Sequence, residues 1–105
     1  MSKYCMVIVT TSKLGEAEQI ADKIVEKSLA TCVNIVPKIR SIYRWEGKVE
    51  HSRETLMLIK TVDSKVKKLK KQIKKLHSYD IPEILVLKID NGDNNYLDWI
   101  DSVVR

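Results

Sequence analysis

At 105 residues, 44% of them apolar, the chain has the size of one domain spanning 1–105, with material for a core and no room for a second module. Its longest apolar stretch near the N-terminus, Cys5 to Val9, is too short for a membrane span or a signal-peptide core, so a cytoplasmic location without a membrane partner is expected. The net charge of +5 is lopsided: seven lysines and one aspartate between Asp63 and Lys75 give that segment +6 and leave the remainder at −1, one basic helix rather than a basic body.

Tyr4 to Thr10 is a continuous β-branched and apolar run, which predicts a strand buried on both faces or nearly so. Ala17, Ile20, Ala21, Ile24, Val25 and Leu29 then recur at helical spacing and mark one amphipathic helix. Strand character returns at Thr31 and continues through Ile39, Ile42, Tyr43 and Trp45, with Pro37 marking a bend or an edge because it cannot donate to a ladder. Trp45-Glu46-Gly47-Lys48 reads as a hairpin turn, followed by a long strand over Val49 to Thr61. Arms this long overhang a small domain and leave Tyr43 and Trp45 exposed unless another chain covers them, which predicts an oligomer. Val62, Val66, Leu69, Ile73 and Leu76 outline a second helix, capped by Asp63 or Ser64. Glu83 to Ile89 is a further strand, and Asp93 fits the N-cap of a last helix carrying Tyr96, Leu97, Trp99, Ile100, Val103 and Val104. The order β-α-β-β-α-β plus a terminal helix predicts an α+β fold of the ferredoxin-like kind, an antiparallel sheet with two helices on one face.

The chemistry is narrowed mostly by exclusion. Two cysteines without a CxxC pair rule out a disulfide scaffold and a four-cysteine zinc module. The three glycines lie far apart, so no phosphate loop exists, and no serine sits in a nucleophile elbow. The lysine helix lacks accompanying aromatics or arginines and reads as a solvated face, with no nucleic-acid partner expected. Cys32 is either a small buried hydrophobe or a soft metal ligand needing a nearby histidine or carboxylate. His77, ending the second helix, either caps that helix or ligates. Glu54 and Lys60 share one face of the long strand and, with Tyr79 and Glu83, would form either a polar pocket or an ordinary ion-pair ladder. Tyr43, Trp45, Tyr96 and Trp99 suit subunit boundaries. Cys5 is read as core and His51 as surface.

Five blocks then carry a resemblance: T-C-V-N-I-V-P at 31–37, S-I-Y-R-W-E-G-K-V-E at 41–50, E-T-L-M-L-I-K-T at 54–61, L-H-S-Y-D-I-P-E-I at 76–84 and Y-L-D-W-I at 96–100. Together, in order and over nearly the whole chain, they resemble the CutA family of divalent-cation tolerance proteins. The resemblance implies a ferredoxin-like homotrimer with hairpins pairing across subunits, an architecture like that of the PII signalling proteins. It implies tolerance of copper and other divalent ions, with copper binding proposed for the family, no established reaction and no obligatory cofactor. The family's proposed site carries over as Cys32, Glu54, Lys60, His77, Tyr79 and Glu83 near a cleft between subunits, with Trp45, Tyr96 and Trp99 at its aromatic positions. Ser78 stands where the family usually has proline, an expected loosening of that loop, and Thr31 replaces a small apolar residue. The leading expectation is a non-enzymatic, metal-binding trimer in which Cys32, His77, Glu54 and Glu83 supply ligands. The alternative is a signalling or scaffold trimer that binds a small anion or an unidentified protein through Lys60, Tyr79 and Glu83.

Overall fold

The structure is a computed structural model, and it describes residues 3–105. Strands β1 (Tyr4–Thr11), β2 (Cys32–Trp45), β3 (Lys48–Val62) and β4 (Ile84–Ile89) form one antiparallel sheet in the order β2-β3-β1-β4. Helices α1 (Leu14–Glu26), α2 (Val66–Leu76) and α3 (Asn94–Val104) complete the chain. The element types and their order match the sequence reading.

Side chains alternate across a strand, so the sheet has two chemically distinct faces. On one, Val7 and Val9 of β1 and Met57 and Ile59 of β3 pack against Ala17, Ile20, Ala21 and Ile24 of α1 and Leu69 and Ile73 of α2, all buried. The other face carries Tyr4, Met6 and Ile8 on β1 and Leu56, Leu58, Lys60 and Val62 on β3. Helix α3 closes only one end of it, where Ile100 and Val104 bury against Val62, Tyr4 and Leu97. The Thr31 hydroxyl, itself buried, fixes that helix by donating to the Ile100 carbonyl at 2.6 Å.

Three local expectations are corrected. First, β1 is not buried on both faces: Cys5, Val7 and Val9 are buried, whereas Met6 and Ile8 are half-buried, because α3 does not extend over them. Second, neither Asp63 nor Ser64 caps α2 with its side chain. Residues Asp63–Lys65 form a 3₁₀ turn, and the Asp63 carboxylate is held instead by Lys88 of β4. Val62 consequently belongs to the last strand turn and to the α3 cluster, not to the helix. Third, α1 ends at Glu26, so Leu29 packs from the loop beyond it.

Pro37 does mark an irregularity on an edge strand. The β2–β3 register shifts between Val36 and Ile39, and Lys38 takes a positive φ of 61° there. Beyond this bulge the hairpin leaves the body of the sheet, since β1 pairs with β3 only from Thr55 onward. Glu46 and Gly47, both at positive φ, make the tight turn that closes it. The projection explains a radius of gyration of 14.3 Å, above the roughly 13 Å of an ordinary domain of 100 residues. Tyr43 and Trp45 stand exposed on it, as the overhang predicted.

Candidate functional site

Two separate polar constellations emerge from the residues singled out above. The first lies where β2 begins, beside α3. Cys32 pairs in register with Lys60, and the two side chains share the face that α3 borders, with Lys60 Nζ 3.9 Å from Cys32 Sγ. Tyr96 reaches the same place from α3; burial first, then the neighbouring Cys32, pushes its phenol above the ordinary value. Trp99 packs against Tyr96 with the rings tilted by 47° and their centroids 5.5 Å apart, and both remain partly exposed. Cys32 is thus a half-buried thiol beside a cation, accessible from solvent.

The second constellation forms where α2 ends. His77 caps that helix with its backbone, N–H to the Ile73 carbonyl, while its ring turns inward to complete burial. The Tyr79 backbone N–H donates to Nδ1 at 3.0 Å, which leaves the ring proton on Nε2, where it donates to the Thr10 carbonyl at 2.7 Å. Both ring nitrogens are therefore occupied. Glu16 of α1, unremarked in the sequence, holds the same loop by accepting from the Ser78 backbone N–H at 2.6 Å and from its hydroxyl at 3.1 Å. A proline at 78 would have no N–H to offer, so Ser78 ties the loop to α1 and corrects the expected loosening. Nothing in the local sequence marks Glu16, since a glutamate beside the apolar stripe of α1 looks like any solvated residue.

Tyr79 turns back over the His77 ring, 4.8 Å between centroids, and donates its hydroxyl to Glu54 at 2.9 Å. Burial first, then that carboxylate, pushes the Tyr79 phenol up to about 12. Glu83 is exposed in the loop before β4.

The two constellations are not one site within a chain. Lys60 and Glu54 do share a strand face, but six residues of strand separate them, about 20 Å. Cys32 lies level with Met6 of β1 through Lys60, whereas His77 binds the backbone of Thr10, about 13 Å further along. Among the described residues, no group of three or more histidine, cysteine, aspartate or glutamate side chains could hold a metal ion. Cys32, His77, Glu54 and Glu83 of one chain therefore do not fit a metal as a set. Of these four, only Cys32 is a donor of the soft class.

Comparison with known proteins fixes what this fold and these residues belong to. The family model for the CutA1 divalent ion tolerance protein matches residues 5–103. The chain belongs to the CutA1 family. It is 46% identical over 95 residues to the divalent-cation tolerance protein CutA of Thermus thermophilus, covering 90% of this chain and 92% of that protein. It is 41% identical over 100 residues to the chloroplastic protein CutA of Arabidopsis thaliana, where the match covers 95% of this chain but 55% of the longer plant protein. Among solved structures, the Thermus thermophilus protein superposes with a TM-score of 0.95 at 43% identity, covering 97% of this chain and 99% of the other. A structure of the periplasmic divalent cation tolerance protein CutA from Archaeoglobus fulgidus gives 0.94 at 41% identity, covering 97% and 99%. Chloroplastic and periplasmic relatives mean that family membership does not carry the expected cytoplasmic placement. Among the described residues no helix is long and apolar enough to cross a membrane.

Proposed function

We propose that this CutA1-family protein acts in divalent-cation tolerance as a ferredoxin-like homotrimer without catalytic activity, binding copper or another divalent ion at subunit boundaries. The observation that carries this reading is the unfinished face of the sheet. Leu85 and Leu87 on β4 are 54% and 41% exposed, and Met6, Ile8, Leu56 and Leu58 beside them are only half-buried. A contiguous apolar surface of this kind suits a subunit interface. Cys32 and the Tyr96–Trp99 pair border it, so a second copy packed there would bring its own donors toward the Cys32 thiol.

In this reading Cys32 supplies the soft ligand and a carboxylate, Glu54 or Glu83 of a neighbouring copy, supplies the oxygen. His77 serves instead to lock the loop, because ligation would break one of its two ring hydrogen bonds. A bound divalent ion would be held through a deprotonated sulfur, so affinity weakens as pH falls and protons compete for it. The test is native mass spectrometry of the reduced protein titrated with copper. A trimer that takes up one copper per chain, lost in Cys32→Ser and kept in His77→Gln, is the expected result. A trimer that takes up none removes the metal site and leaves the trimer standing.

A further inference from the structure

The projecting hairpin carries a cationic row that neither the sheet nor the constellations above use. Cross-strand partners point to the same face, so the register places Arg40 with Arg53, Ile42 with His51, and Arg44 with Val49 on one side. The opposite side takes Ser41 with Ser52 and Tyr43 with Glu50. Every charged or titratable group on the first side between Arg40 and Arg53 is thus an arginine or a histidine.

Two arginines directly opposite one another are unfavourable in a β-ladder unless something neutralises them. Among the described residues of one chain no carboxylate does so: the ion pairs are made by Lys3, Lys88 and Arg105, and none involves Arg40, Arg44 or Arg53. A cleft of about 260 Å³ is lined by Arg40, His51 and Arg53 from this side together with Ser41 and Ser52, which alternate with them along the two strands. Its chemistry differs from that of the lysine helix. Lysines are point charges that spread over a solvated face, whereas guanidinium forks bind phosphate oxygens bidentately.

We propose that this hairpin face is a binding site for a phosphate chain, the di- or triphosphate group of a small ligand. Arg40 and Arg53, with Cβ atoms about 5 Å apart as a directly opposed pair, grip one phosphate. His51 lies one pair further on and Arg44 one pair beyond that, each step about 7 Å along the strands, a spacing that the long Arg44 side chain can bridge toward the next phosphates. A single phosphate engages only the first pair. Affinity therefore rises with chain length, by about tenfold for each added charge-assisted contact.

Isothermal titration of the full chain with inorganic phosphate, pyrophosphate and tripolyphosphate at low salt tests this. Binding that strengthens in that order, and falls at least about tenfold in the double variant Arg40→Gln, Arg53→Gln, is the expected result. A Lys67→Gln, Lys71→Gln, Lys74→Gln variant should bind as the parent does. ATP distinguishes the source of the chain: affinity equal to tripolyphosphate means the phosphates alone are read, and tighter binding means a nucleotide carries them. Any one of several results overturns the proposal. They include no tripolyphosphate binding, equal displacement by sulfate at matched ionic strength, or binding lost in the lysine variant and kept in the arginine one. A changed oligomer mass in the arginine variant without loss of binding would assign the row to subunit packing and overturn it as well. The copper titration above is independent of all these outcomes.

Discussion

The two faces of one sheet are built from the same strands and nearly the same residue types, yet they end in different states. Val7, Val9, Met57 and Ile59 are wholly buried under two helices, while Met6, Ile8, Leu56 and Leu58, their immediate neighbours in sequence, are half-buried beside the open edge of α3. Burial on the first face is completed inside the chain and stabilises the fold. On the second it is left incomplete, and the apolar area remaining is available for association. The difference teaches that an apolar run reports the wish to be covered, not what covers it.

The comparison sharpens first through truncation. Ile59→Ala, under α1 and α2, should cost about 2–5 kcal/mol in denaturant unfolding, because the packed face cannot collapse around the void. Leu58→Glu, one residue away on the open face, should instead shift the native mass from the proposed trimer to monomer and leave each chain's secondary structure intact by circular dichroism. Equal loss of chain stability in both variants, with no change of mass, would erase the distinction between the faces. A smaller effect tests the loop at the end of α2. His77→Ala strands the buried Thr10 carbonyl and the Tyr79 N–H, a cost of about 1–3 kcal/mol by urea titration, with copper uptake unchanged.

The smallest effect is a pH dependence. The Tyr79 phenol titrates higher in the folded chain than in the unfolded one, so its neutral form stabilises the fold. That contribution is fully present below pH 10 and is lost as pH rises through about 12. Tyr79→Phe should flatten the urea midpoint between those values relative to the parent. An unchanged pH profile would show that the Glu54 hydrogen bond contributes nothing there.

Much of the site's composition was legible and its arrangement was not. Cys32, Glu54, Lys60, His77, Tyr79 and Glu83 were all named from the chain, and the structure sorts five of them into a Cys32–Lys60 group beside Tyr96 and a Glu54–Tyr79–His77 group, leaving Glu83 apart in its loop. The sorting depends on which β3 residue faces which β2 residue, a register set by the bulge at Val36 to Ile39. Glu16 was missed because its partner Ser78 is 62 residues away.

By itself the sequence determined the kinds and order of the elements, because local periodicity and turn chemistry act over a few residues. The positive-φ turn at Gly47 and the Asp93 side chain capping α3 are of this sort, the latter accepting from the Tyr96 N–H at 3.1 Å. Only the tertiary structure decided which apolar face is finished and where the titratable groups meet. It drew His77 inward to the Thr10 backbone and left Arg40 beside Arg53. Those outcomes depend on pairings between residues distant in the chain, and the energy of a buried hydrogen bond or an opposed like charge exists only once the strands have come together.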